Sequence, residues 1–382
     1  MLRRARLSVS AAFLLHAAVS GTWAPRVPAL KDQSDLTDGE LGLALVGMAA
    51  GLLLGTRSAG AVVDRFGARP VLRLGVPLLC AALMLPALAR SLPALAAAFF
   101  VQGCVSGMLD VAMNAEGVEV ERRLGRPILN GLHGLWSVGL GAGAGVAALA
   151  AAAGLAPTAH FAIVGGVLAL VSVPALRGLL PAVAAHERDE PEEGAVVGMW
   201  SLPVLLLGAI AFCAFVGEGT ASDWSAVYLR EDLGTSAAIA AAGFFAFSVA
   251  MALSRFAGDR LHQRFGPVRL ARRSSLVAAI GLGVALVIDT PATLILGFAL
   301  VGAGLGPVVP IAFSAAGHLG GRTSARVLGR VVTFGYVGSV LGPLAIGGLS
   351  ELASLRAALF VPVALALLIA AASPQLAAAT ER

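Results

Sequence analysis

Gly60-Ala61-Val62-Val63-Asp64-Arg65-Phe66-Gly67-Ala68-Arg69 is a charged, glycine-bracketed knot between two long apolar runs. A related stretch, Gly258-Asp259-Arg260-Leu261-His262-Gln263-Arg264-Phe265-Gly266, follows in the second half of the chain. Two such knots, one per half of an otherwise oily chain, predict a duplicated membrane bundle.

The surroundings agree. The chain has 382 residues, of which 58% are hydrophobic and 13% charged, and its mean hydropathy is +0.87. A soluble domain carries about 25% charged residues, so too few charges exist here to solvate a water-exposed surface. Glycine is abundant, at 47 residues, which suits close helix–helix approach in lipid. The net charge of +5 does not point to nucleic acid, because the arginines sit in short connectors between apolar spans. Cys80, Cys104 and Cys213 lie inside apolar spans at unrelated spacings, so neither a disulfide framework nor a metal set is expected. Arg3, Arg4 and Arg6 before an apolar run resemble a signal peptide, but many spans follow, and the run reads as the first membrane helix.

A helix needs about 20 apolar residues to cross a bilayer. Twelve segments approach that length: 7–30, 39–63, 70–89, 92–118, 128–153, 157–180, 200–228, 236–260, 268–288, 291–317, 325–350 and 354–378. The acidic, polar stretch 182–199 is the natural linker between a six-helix bundle over 1–181 and another over 200–382. The expected fold is an all-α integral membrane protein with two pseudo-symmetric six-helix bundles. With the N-terminus on one side, alternate connectors collect 21 Arg and Lys there and 5 on the other. The positive-inside rule then places both termini in the cytoplasm of a multi-pass protein of the plasma membrane.

Arg65-Phe66-Gly67 and Arg264-Phe265-Gly266 each follow the second helix of their half. On these residues, with twelve spans and an Arg-rich inside, the chain resembles the major facilitator superfamily from end to end. That resemblance implies a carrier that alternates access to a site between repeats. It also implies that Gly60, Asp64, Arg65, Gly67 and Arg69 form a conformational latch, with Asp64 set against the start of the eleventh helix near Ala325 or Arg326. Gly258, Asp259, Arg260, Arg264 and Gly266 form the second latch. Aligning the two Arg-Phe-Gly triplets places Gln263 opposite Asp64 and Asp259 one turn earlier, so the carboxylate of the second hinge stays open.

Ionisable groups inside a span are costly and functional by default. Asp110 lies deep in the fourth span, with Gln102 two turns earlier and Asn114 one turn later. A carboxyl in low dielectric is expensive to keep charged and can load and release a proton. The bland alternative is a structural ion pair or a packed hydrogen-bonded group. Gly107–Asn114, followed by Arg126-Pro127-Ile128-Leu129-Asn130-Gly131-Leu132-His133, resembles the fucose–proton symporter branch, with Asp110 where that branch usually has Glu. The resemblance implies that Asp110 carries the proton and helps to bind solute. That branch also has an acidic residue in its first helix, and this chain has none between Ala5 and Lys31.

The seventh span holds Glu218, a second proton-coupling candidate, between Gly217 and Gly219, which are expected to permit local unwinding. Asp223 and Trp224 follow, as cavity residues or as members of an interfacial aromatic belt. Trp23, Asn130, His133 and Trp136 complete the expected substrate cavity. Arg26 is a cation for a solute, a partner for Glu218 or Asp223, or a side chain that snorkels to the surface. His16 and Arg57 are weaker candidates. Gly302-Ala303-Gly304-Leu305-Gly306-Pro307 and Gly338-Ser339-Val340-Leu341-Gly342-Pro343 are expected to bend their helices.

The function expected is secondary active transport of a sugar-like or other small polar solute, coupled to protons. The alternative is proton-driven efflux of drugs or metabolites. No His-Glu-x-x-His or Gly-x-Ser-x-Gly pattern is present, so an enzyme is not expected. The expected partners are a small-molecule substrate and the lipid bilayer, without nucleic acid. The expected state is a monomer, with no cofactor beyond the proton gradient.

Overall fold

The structure, a computed structural model, describes residues 1–181, 198, 200–320 and 323–379. Apart from Gly198, the linker expected over 182–199 lies outside the described residues. The described residues form helices and no strand. In chain order they are α1 (Leu2–Trp23, then Val27–Gln33), α2 (Asp38–Phe66), α3 (Ala68–Ala82, then Met84–Leu88), α4 (Leu92–Leu124), α5 (Leu129–Ala152) and α6 (Pro157–Ala175). There follow α7 (Leu202–Val227), α8 (Ala237–Phe265), α9 (Pro267–Ile288), α10 (Pro291–Leu305, then Val308–Leu319), α11 (Ser324–Leu352) and α12 (Leu355–Ala358, then Phe360–Ala372). Ten helices among the described residues are long and apolar enough to cross a membrane, and the bent pair of α1 would make eleven. The 29-residue α8 completes the twelve.

Local chemistry sets the helix ends. Thr37 accepts from the Glu40 amide while the Glu40 carboxylate accepts from the Thr37 amide, a capping box that starts α2. Gly67 (φ 83°) and Gly266 (φ 74°) turn α2 into α3 and α8 into α9. Side chains avoid that backbone region, so each Arg-Phe-Gly triplet ends in the one residue that fits. At Gly306-Pro307 the proline removes a donor and α10 breaks, as its glycines and proline predict. By contrast α11 passes Pro343 unbroken. Also against expectation, α7 runs as a continuous α-helix through Gly217 and Gly219, because its backbone ladder stays satisfied there. It widens only at Tyr228–Asp232, into a π-turn.

The chain packs as two compact units. Unit 1 takes α1 to α4, α5 from Leu135 onward, α6 and the first turn of α11 to Gly329. Unit 2 takes the first turn of α5 to Gly134, α7 to α10, the rest of α11 and α12. Each unit therefore includes the start of a helix whose remainder belongs to the other.

In unit 1 the main seam joins α2 to α4. A Cβ added at Gly51 would lie 2.1 Å from the Phe100 carbonyl oxygen, and one at Gly103 would lie 2.3 Å from that of Met48. Lipid tails are as apolar as leucine, so helices associate there by close backbone approach rather than by burying oil. In unit 2 the same device seats α10 on α8, where a Cβ at Gly302 would meet the Phe247 carbonyl at 2.1 Å.

Candidate functional site

Each hinge is built within one unit. In unit 1, Gly60 lies where a Cβ would come 2.7 Å from the Arg326 Cα, so glycine is what admits the start of α11. Asp64 pairs with Arg326 across 2.8 Å (Oδ2 to Nε). The partner lies at the expected helix start, and the ion pair is made by its side chain. Arg65 stacks on Phe66, and Arg264 on Phe265. Arg260 is exposed.

In unit 2 the open question of the second hinge is answered. The Asn130 and Gly131 amides donate to the two carboxylate oxygens of Asp259, each at 3.0 Å. Asp259 thus caps the N-terminus of α5, where helix amides are orphaned and the dipole favours an anion. Gln263 is exposed. We expect Asp259→Asn to destabilise the purified protein by about 1 kcal/mol. Gln263→Ala should stay within about 0.5 kcal/mol of wild type. Denaturation midpoints of the two variants check this, and equal midpoints would contradict it.

Unit 1 carries a polar stripe. Gln102, Ser106, Asp110 and Asn114 recur every fourth residue of α4, so they share a slowly winding face. All four are buried. The Asn114 amide donates to the Asp110 carboxylate at 3.2 Å and to its carbonyl at 2.9 Å. The Gln102 Oε1 is buried with no hydrogen-bond partner among the described residues. Trp23 packs on Phe99 one turn above Gln102, with ring centroids 5.2 Å apart. Sequence reasoning ranked His16 among the weaker candidates, yet its Nε2 lies 2.8 Å from Ser106 Oγ, and the Trp136 indole donates to its Nδ1 at 3.2 Å.

Unit 2 carries an ion pair. Arg255 Nη2 lies 3.2 Å from both Glu218 oxygens, and Arg255 Nε donates to the Gly306 carbonyl at 3.3 Å. Arg255 is one of the 21 Arg and Lys that the sequence count assigned to the connectors on the N-terminal side. The structure corrects this, because α8 continues to Phe265 and holds Arg255 buried within it. The signal was available: an arginine inside an apolar helix obeys the rule that picked out Asp110. His133 stacks on Phe313 at 5.8 Å, and Phe215 faces both Phe313 and Tyr336.

The expected cavity residues make the following contacts. Asn130 and His133 fall in unit 2 and Trp136 in unit 1. Asn130 sits at the hinge, where a Cβ on Gly258 would lie 2.5 Å from its Cγ, and Trp136 belongs to the His16 network. Asp223 is exposed, and Trp224 packs on Gly347, with its indole nitrogen buried and without a hydrogen-bond partner among the described residues. Arg26 does not snorkel. It is buried and donates to the Leu155 carbonyl, because the bend after Trp23 turns it inward. Glu119 pairs with Arg122 and Arg123, whereas Glu116 turns inward to accept from the Leu180 amide at 2.7 Å.

The family model described as the Major Facilitator Superfamily matches residues 9–322 and, separately, 207–378. The chain belongs to that superfamily. Two relatives support the placement of this MFS protein over nearly its whole length. It is 36% identical to an uncharacterized MFS-type transporter of Yersinia pestis, over 96% of this chain and 94% of the other. It is 35% identical to an uncharacterized transporter of Sinorhizobium fredii, over 96% and 97%. Among solved structures it is similar to the MFS transporter FucP in its outward conformation, with a TM-score of 0.78, 16% identity and coverage of 96% and 97%. The human organic anion transporter MFSD10 follows, with a TM-score of 0.76, 18% identity and coverage of 97% and 99%. At those identities the two structures speak for the MFS fold alone. This MFS protein is a multi-pass membrane transporter.

Proposed function

We propose that this MFS protein is a proton-coupled secondary carrier of a small polar solute, working by alternating access. The observation that carries the reading is the buried stripe Gln102–Asp110–Asn114 on α4. A carboxyl group so placed is costly to leave ionised in a bilayer, which suits a group that is loaded and unloaded with a proton in each cycle. The unpartnered Gln102 oxygen asks for a donor, and a solute hydroxyl of the sugar-like kind supplies one. A solved relative in fold is the E. coli fucose:proton symporter FucP.

Glu218 is the second coupling carboxylate. Protonation would cancel its charge and loosen the pair with Arg255. The Asp64 and Asp259 contacts act as latches that form in one state of the cycle and break in the other. The arginine asymmetry supports a plasma-membrane carrier with both termini cytoplasmic, and the proposed working state is a monomer.

The test is reconstitution. Purified protein in liposomes under an imposed pH gradient is screened against sugars, polyols and other polar metabolites. Wild type accumulates its solute uphill. Asp110→Asn only equilibrates it, and the loss of concentrative flux should be at least about tenfold, the effect of 1.4 kcal/mol of lost coupling. Undiminished uphill transport by Asp110→Asn would refute the reading. The gradient polarity that drives accumulation separates uptake from export.

A further inference from the structure

His16 stands in the middle of α1, 3% exposed, and the reading above gives it no role. Its ring nitrogens face different partners. Trp136 Nε1 lies 3.2 Å from Nδ1, and an indole N–H can only donate. Nδ1 must then be an unprotonated acceptor. The ring is neutral, with its proton on Nε2, 2.8 Å from the Ser106 oxygen. Trp136 thereby dictates the tautomer.

A serine hydroxyl that accepts a bond still has its own proton to give. One turn further along α4 lies Asp110, on the same face. Helical side chains lean toward the N-terminus of their helix, which carries the Asp110 carboxyl toward the level of Ser106. The same lean is visible one turn on, where Asn114 reaches back to Asp110.

We propose that His16, Ser106 and Asp110 form a proton relay for which Trp136 is the gate. The proposal rests on the reading of Asp110 as the proton carrier. With the indole in place, Nδ1 is closed and the relay is idle. When Trp136 moves away, Nδ1 takes a proton from hydronium in water admitted beside it, and the ring becomes an imidazolium. The Nε2 proton then passes to Ser106 Oγ, and the Ser106 hydroxyl proton passes to the Asp110 carboxylate. One proton has entered and one carboxylate has been neutralised. Ser106 is restored, and His16 is neutral again as the Nδ1–H tautomer, which the indole cannot cap until the proton changes nitrogen. The indole bond and a protonated Nδ1 exclude each other.

Other ionisable groups on the elements packed against α1 include Glu121 and Arg69, and His160, whose ring nitrogens are buried without a hydrogen-bond partner among the described residues. Glu116 on α4 holds the Leu180 amide, and Arg73 on α3 holds the Leu176 and Arg177 carbonyls. His160 on α6 stacks on Phe161, His133 on α5 stacks on Phe313, and Arg26 holds the Leu155 carbonyl.

The experiment uses Trp136 itself as the probe. Trp23, Trp200 and Trp224, the other three of the four tryptophans, are replaced by Phe, and the full chain is placed in nanodiscs. An imidazolium quenches a neighbouring indole. Trp136 emission should fall through a single transition as pH is lowered. His16→Gln should abolish the transition, and Asp110→Asn should move its midpoint by about one pH unit, the scale of two coupled sites. Ser106→Ala should leave the transition but remove its dependence on Asp110. A flat titration, or one that survives His16→Gln, would overturn the proposal. So would a midpoint that ignores Asp110. If His16→Gln does not fold, the Ser106→Ala and Asp110→Asn pair decides. If transport does not depend on Asp110 while the fluorescence coupling persists, the proposed function fails and the coupled network stands.

Discussion

Arg255→Leu lowers the stability of the purified carrier by about 3–5 kcal/mol, and so does Glu218→Leu, whereas the double variant recovers most of the loss. The physical reason is the asymmetry between breaking and replacing a buried pair. Arg255 and Glu218 have side-chain exposures of 7% and 20%, with 3.2 Å between nitrogen and oxygen. Removing one partner leaves a full charge among the apolar side chains of α7, α8 and α10, where water cannot reach it well. Removing both leaves a cavity of nearly matched shape and no orphaned charge. The check is a double-mutant cycle on unfolding in mixed micelles. Additive losses would mean that the two side chains do not stabilise one another. If Glu218 also serves in coupling, the double variant will be stable and unable to couple, which separates its two roles.

Gly51→Leu prevents folding of unit 1. The added Cβ alone would sit 2.1 Å from a backbone oxygen, that of Phe100, and 2.9 Å from the Cys104 amide nitrogen. Backbone atoms of a helix cannot swing aside as a side chain can. The α2–α4 seam would have to open along its length, losing the close contacts that hold helices together in lipid. Overpacking costs about 1–3 kcal/mol where side chains can yield, and here, where backbone would have to yield, the cost exceeds that range. Gly42→Leu, on the same helix with nothing within 4 Å of its Cβ position, is the control and should fold normally. Size-exclusion profiles of fluorescently tagged variants check both. A monodisperse Gly51→Leu peak at the height of wild type would contradict the seam.

Much of the fold was legible because lipid imposes strong rules. Apolar length located the helices, and the Arg-Phe-Gly triplets located the turns that need a left-handed glycine at Gly67 and Gly266. The site was less legible, because side-chain pairing depends on helix rotation, which hydropathy does not report. Asp110 and Asn114 could be paired, being four apart on one helix. His16 could not be joined to Ser106 and Trp136, which lie 90 and 120 residues away in the chain. Arg255 was hidden differently. The expected span ended five residues beyond it, and it was grouped with the connector charges that follow. The second hinge misled the triplet alignment because Asp259 stands in register with Gly60, not Asp64. It reaches its helix start through the Asn130 and Gly131 amides.

The shared helices have a consequence for how the carrier is made. Unit 1 is not a continuous stretch of chain, since its hinge is completed by the first turn of α11. A ribosome delivers Gly60 and Asp64 early, but Arg326 arrives only after α7 to α10 have been synthesised. The first turn of α5 is likewise made before Asp259, which caps it. Neither unit can finish on its own schedule. The nascent chain must hold two unfinished helix contacts in the membrane, and maturation waits on the eleventh helix rather than proceeding half by half.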